Sequence, residues 1–162
     1  MVRTKTRNIT LMGVLIALSF IGSLIKIPSP LGTIGFDSAA GFFATLYLGY
    51  IPGSIVIVLG YLIIAASASF PLGPLTMGVA LEMMGTVIAF RFFHQKNPAL
   101  GIGIATFLNG VAAPLIVLPL GGWGLYVGLL LPLSVASFAN VFVASLVYMA
   151  IDKIKSKELS RS

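Results

Sequence analysis

The chain has 162 residues, 58% of them hydrophobic and only 9% charged, with a formal net charge of +6 and a mean hydropathy of +1.07. A soluble domain carries about 25% charged residues, so the composition excludes one and points to an all-α integral membrane protein. The absence of cysteine excludes disulfide and thiol chemistry, and the positive charge reports topology before it reports nucleic acid, because basic residues collect on one side of a membrane.

Taken in order, residues 1–8 carry Arg3, Lys5 and Arg7, a basic flank to a first span expected over 9–25. No small-residue cleavage site follows, so this start reads as a retained span rather than a removed signal. Lys26 to Ser38, KIPSPLGTIGFDS, comes next. Pro28, Pro30, Gly32 and Gly35 forbid a continuous helix there, since proline lacks a donor and both residue types weaken the helical ladder. Further spans are expected over 36–50, 54–70, 75–93, 99–118 and 130–151, and a basic tail begins at Asp152. A span takes about 20 residues, so one domain over 1–162 is filled by a compact bundle of six transmembrane helices.

With the N-terminus inside, Arg3, Lys5, Arg7, Arg91, Lys96, Lys153, Lys155, Lys157 and Arg161 fall on the cytoplasmic side and only Lys26 outside. Both termini are therefore expected in the cytoplasm. Each outer connection then carries the same tripeptide: Pro30-Leu31-Gly32, Pro71-Leu72-Gly73 and Pro119-Leu120-Gly121. Proline and glycine simply ending helices explains this; so does a mouth built from three similarly folded loops, which a membrane tolerates where irregular backbone lines a cavity.

Polar residues inside apolar spans are costly and face the bundle interior or a cavity. Glu82 is the one carboxylate deep in a span, about 12 Å below Pro74 at 1.5 Å per helical residue. It shares a face with Gly78, Gly85, Thr86 and Ala89. Asn109 lies about 15 Å below Pro119 and Asn140 about 12 Å below Pro132, with Ser137 and Ser134 continuing the Asn140 face. These groups share one layer beneath Asp37. For the asparagines, interhelical hydrogen bonding and ligand contact are both open readings; for Glu82 a ligand or proton role is favoured, since no buried cation is available to pair with it. Asp37 is expected to cap the second helix, pair with Lys26, or meet a ligand hydroxyl. Trp123 is an interface anchor or a stacking surface for a flat ligand. His94, beside Arg91 and Lys96, is expected at the interface. On the first span Gly13 and Ala17 form a small-xxx-small pair suited to close helix approach. There is no Walker A pattern, one histidine and four scattered carboxylates do not make a metal site, and no nucleophile sits beside a base. Neither an enzyme nor a cofactor is expected.

Several stretches resemble a known family: TRNITLMGVLIALSFIGSLIKIPSPLGTIGFDSAAGFF, FPLGPL followed by ALEMM, LNGVAAPL, and SVASFANVFVASLVY. They resemble the substrate-binding S components of energy-coupling-factor vitamin transporters, from Thr6 to about Tyr148, and KIPSP-x-GT-x-x-x-DS with FPLGPL looks most like the α-ribazole S component. The resemblance implies a six-helix binding subunit in the prokaryotic cytoplasmic membrane. It would capture a vitamin or vitamin precursor from outside and associate with a transmembrane T subunit and two ABC-type ATPases. It makes 26–38 a lid, and it maps the family's helix-one docking pair onto Gly13 and Ala17, with glycine in place of the first alanine. For α-ribazole, an apolar plate bearing a sugar, it suggests Phe36 and Trp123 against the plate and Thr33, Asp37, Glu82, Asn109, Ser137 and Asn140 as polar contacts. Two other readings fit the residues: a self-contained proton-coupled transporter using Glu82, and a non-transporting membrane assembly factor.

Overall fold

The computed structural model describes residues 2–30 and 32–159. Helix α1 (Val2–Gly22) leads into a hairpin of β1 (Lys26–Ser29) and β2 (Gly32–Gly35), then α2 (Ala39–Leu48), α3 (Tyr50–Ser67) and α4 (Leu75–His94). After α5 (Pro98–Phe107) the chain continues without a loop through a π-turn (Leu108–Ala112) and a 3-10 turn (Ala113–Val117) into α6 (Leu118–Leu159). It is a multi-pass helical membrane protein. Tyr50–Ser67, Leu75–His94 and the run Pro98–Glu158 are long and apolar enough to cross a membrane, while the apolar helices Thr6–Gly22 and Ala39–Leu48 are shorter. That makes five apolar helical runs among the described residues where six were expected, because 98–158 forms one run. The run changes direction at Gly122, whose φ of 60° and ψ of −158° are not helical.

The hairpin is a departure from the all-helical expectation. Its antiparallel register pairs Lys26 with Gly35, Ile27 with Ile34, Pro28 with Thr33 and Ser29 with Gly32. Prolines and glycines that exclude a helix leave an edge-to-edge pair of short strands as the way to satisfy the backbone between α1 and α2. The hairpin is tied to α1 at its base, where the Phe36 amide donates to the Gly22 carbonyl at 3.1 Å. A Cβ on Gly22 would stand 2.1 Å from the Phe36 carbonyl oxygen, so only glycine permits this approach.

Because Lys26 to Gly35 is consumed by the hairpin, α2 starts at Ala39 rather than 36 and has ten residues, about 15 Å of helix. It is half the length of a spanning helix, and both of its ends are held by side chains from distant helices. At its N-terminus the Ala39 amide donates to Asn140 Oδ1 at 2.9 Å. At its C-terminus Arg91 donates Nη1 to the carbonyls of Thr45 and Leu46, the latter at 2.7 Å. Orphan groups of both helix ends are thus satisfied. Between them Phe42 packs edge-on against Phe90 with centroids 5.3 Å apart, in a core shared with Ile57, Val87, Ala105, Val141 and Ala144. α3 lies close against α2 because Gly53 faces Thr45.

The three Pro-Leu-Gly connections do not fold alike. The first is at the hairpin turn, with Leu31 outside the described residues; the second is an irregular turn; the third lies inside the helical run ahead of Gly122. The tripeptide is a helix terminator in one place and helix interior in another, so the reading of three similar mouth loops does not hold. His94, expected at the interface, is buried at 6% exposure with Nε2 2.7 Å from Ser145 Oγ.

Candidate functional site: a cavity beneath the hairpin

Pro114 organises one wall. Lacking an N–H, it cannot complete the ladder to the Gly110 carbonyl, and the helix relaxes into a π-turn over Leu108–Ala112. The freed Gly110 carbonyl accepts from Ser134 Oγ at 3.3 Å across to α6. The absence of a side chain on Gly110 lets Ser134 come close enough to do so. The bulge re-aims Asn109, which is 8% exposed, into a cavity of about 360 Å³. Drug-sized ligands occupy pockets of about 300–1,000 Å³ lined mostly by apolar groups, and this one conforms. Its apolar surface comes from Phe20 of α1, Leu24 of the turn that follows it, Ile64 of α3, Val79 and Met83 of α4, and Leu133 of α6.

The polar groups converge from four elements. Asp37 and Ser38 approach from the segment between hairpin and α2, Tyr61 from α3, Asn109 from the π-turn, and Ser137 and Asn140 from α6. Ser38 donates its hydroxyl to Asp37 Oδ1 at 2.9 Å. Burial pushes the Asp37 carboxyl above its usual range, with the Ser38 hydroxyl pulling partly the other way. Asp37 is expected to cap α2; instead Ser38 stands at the N-cap without a side-chain capping bond, and Asn140 fills the role from 101 positions away. Asn140 also donates Nδ2 to the Ala136 carbonyl at 2.9 Å and to the Gly35 carbonyl at 3.4 Å. It clamps hairpin, α2 and α6 together. Ser137 is the converse: 1% exposed, lining the cavity, with an Oγ that has no hydrogen-bond partner. Buried hydroxyls are almost always bonded, and this one faces the cavity without a bond.

Of the residues singled out from sequence, the structure brings Asp37, Asn109, Ser137 and Asn140 to one cavity. Glu82, Trp123 and Phe36 are not among its lining residues. Glu82 accepts from the Thr86 hydroxyl through Oε1, and its Oε2 is buried without a partner. Trp123 is 67% exposed and packs edge-on against Tyr126. Thr33 lies on β2 opposite Pro28, its side chain outside the described residues. Gly13 and Ala17 are exposed on the outer face of α1, and nothing lies within 4 Å of a Cβ built on Gly13. Sequence reasoning missed Tyr61, Ser38 and the apolar lining. Tyr61 sits in a run of α3 with little hydrophobic asymmetry, where period alone does not distinguish the cavity side from the lipid side.

No family model matches the chain. It is 28% identical over 159 residues, 95% of its length and 67% of the relative's, to CbiM 2 of Methanocorpusculum labreanum, a protein assigned to cobalt transport. Among solved structures it superposes with a TM-score of 0.66 on the S component of a bacterial ECF transporter, at 21% identity and over 96% of this chain and 98% of that one. The chain has the fold of an ECF transporter S component.

Proposed function

We propose that this chain is the substrate-binding S component of an ATP-driven importer of the energy-coupling-factor type in a prokaryotic cytoplasmic membrane. It captures a vitamin or vitamin precursor, α-ribazole in the first instance, from outside and delivers it with a T subunit and two ABC-type ATPases. The observation that carries this reading is the S-component fold over nearly the whole chain combined with a mostly apolar cavity under the first connection. Six crossings follow if the run 98–158 counts twice about Gly122, and both termini then sit with the cations in the cytoplasm. ATP hydrolysis belongs to the partners, and Gly13 and Ala17 offer them a smooth helix surface.

In this reading Phe20, Leu24, Ile64 and Met83 enclose the benzimidazole plate. Asp37, Asn109, Ser137 and Tyr61 bond the ribose hydroxyls, and Asn140, its bonds already made to backbone, holds the site rather than touching the sugar. Lys26–Ser38 is the cover. A thermal-shift screen in detergent tests the reading: a ligand at a hundredfold excess over its dissociation constant stabilises by about 2.7 kcal/mol. α-Ribazole should raise the melting temperature and the Ser137→Val variant should blunt the rise. No shift with α-ribazole or any other vitamin precursor would leave the assembly-factor reading in its place.

The likeness to a protein assigned to cobalt transport favours a second reading, with Co²⁺ as cargo. The cavity's one carboxylate, two amides and hydroxyls suit an organic hydrogen-bonding ligand better than a metal that prefers imidazole nitrogen among its donors. Stabilisation by Co²⁺ and not by organic precursors would reverse that preference.

A further inference from the structure

A second concavity lies on the outer surface of the bundle, away from the cavity. It is a groove of about 480 Å³ lined by Tyr50 of α3 and by Gly85, Ile88, Ala89 and Phe92 of α4. Gly85 and Ala89 make its floor, and nothing lies within 4 Å of a Cβ built on Gly85. Tyr50, Ile88 and Phe92 are all more than a third exposed and form its sides. From Gly85 to Phe92 the floor runs about 10 Å along the helix axis, the reach of several methylenes of an acyl chain.

Both aromatic sides carry a cation. The Lys96 ammonium stands 4.3 Å from the Phe92 ring centroid, and the Arg91 guanidinium 5.0 Å from that of Tyr50. Arg91 spends Nη1 on the carbonyls that end α2, and its Nε is buried without a partner. Lys96 is the last cation of the α4 end, one turn beyond Phe92. The groove is thus apolar along its length and positive at one end only. That polarity matches a phospholipid, tail in the groove and phosphate at the cations, and does not match an uncharged partner helix, which would gain nothing from cations at one end.

We propose that the groove between α3 and α4 is a specific site for a phospholipid with an anionic headgroup, one acyl chain lying over Gly85 and Ala89 and the phosphate facing Lys96 and Arg91. It is independent of what the inner cavity binds. Juxtamembrane cations attract anionic lipid, and the missing side chain at Gly85 turns general attraction into a seat.

The test is native mass spectrometry of the full chain released from vesicles of equimolar phosphatidylglycerol and phosphatidylcholine. The wild type should retain one lipid, with phosphatidylglycerol favoured roughly fivefold. Gly85→Leu, which places a side chain in open space, should lose the retained lipid while melting no lower than the wild type. Lys96→Gln should keep a lipid but lose the headgroup preference. Retention of no lipid, equal retention by Gly85→Leu, or an unchanged preference in Lys96→Gln would overturn the proposal. So would a Gly85→Leu variant that keeps its lipid and fails only to assemble with a partner subunit, which would make the groove a helix seat.

Discussion

Replacing Asn140 by alanine separates a clamp from a ligand contact, and the structure sets the expected size. Three hydrogen bonds are lost, but they are not equal. The Nδ2 bond to the Ala136 carbonyl is local, and that carbonyl also serves the helix ladder four residues on, so its loss costs little. The bond from the Ala39 amide is the one side-chain cap that α2 has at that end among the described residues, a contribution of about 1 kcal/mol. The 3.4 Å bond to Gly35 is long and adds about 0.5 kcal/mol. Asn140 is 2% exposed, so water does not readily replace it, and an orphaned Ala39 amide brings the total to about 1.5–3 kcal/mol. Unfolding of the ligand-free protein in mixed micelles measures that loss. Amide exchange should localise it, with about tenfold faster exchange at Ala39–Gly41 and in the hairpin, and no change at the start of α5. If Asn140→Ala abolished ligand binding while leaving ligand-free stability and exchange unaltered, Asn140 would be a ligand contact and the clamp argument would be wrong.

Four further outcomes follow from the same geometry. Ser137→Ala removes a hydroxyl with no partner, so the ligand-free protein should melt at the same temperature or higher while affinity falls about two- to tenfold, the range of about 0.5–1.5 kcal/mol for one hydrogen bond; a lower melting point with unchanged affinity would contradict it. Gly53→Ala places a Cβ 2.0 Å from Thr45 Oγ1 and 2.3 Å from Thr45 Cα, contacts that force α2 and α3 apart, and should cost about 3 kcal/mol or more as overpacking at backbone, seen as loss of folded protein on size exclusion. Gly122→Ala, at a backbone conformation that essentially only glycine adopts, should destabilise by about 1–3 kcal/mol in the same unfolding assay. Asp37 has a folded pKa raised by burial above 3.8, so its contribution is fully present below that value and is lost as pH rises through the folded pKa; the difference in stability between wild type and Asp37→Asn should therefore shrink or change sign as pH rises across that window, and a pH-independent difference would refute it.

Much of the helical architecture is readable from composition and from where proline and glycine stand. Asn97-Pro98 marks the start of α5, with Asn97 Oδ1 accepting from the Ala99 amide at 2.9 Å and proline at the first helical position. Other features depend on contacts that no local pattern encodes. The hairpin forms because β1 and β2 satisfy one another, while the sequence around them shows only that helix is forbidden. The shortness of α2 depends on Asn140 and Arg91, which arrive from 101 and 45 positions away. Helical depth puts Glu82, Asn109, Ser137 and Asn140 in one layer beneath Asp37, and the structure gathers Asp37, Asn109, Ser137 and Asn140 at one cavity but not Glu82. The same arithmetic says nothing about azimuth, which is why Glu82, at a similar depth, falls outside the cavity lining. In spans this apolar on every side the usual amphipathic cue to the inward face is weak. The span expected over 99–118 runs straight through Pro114, and the consequence of that proline, a π-turn with Asn109 at the cavity, needs α6 and Ser134 to receive the freed carbonyl.

On the proposed function, this chain binds its ligand alone but moves it only with ATP-hydrolysing partners. Proteoliposomes carrying the chain alone, and the chain with a T subunit and two ATPases, test it with labelled α-ribazole. The expected result is saturable binding without accumulation for the chain alone, and accumulation that requires both partners and ATP. Accumulation by the chain alone that follows an imposed proton gradient and vanishes in Glu82→Gln would contradict it.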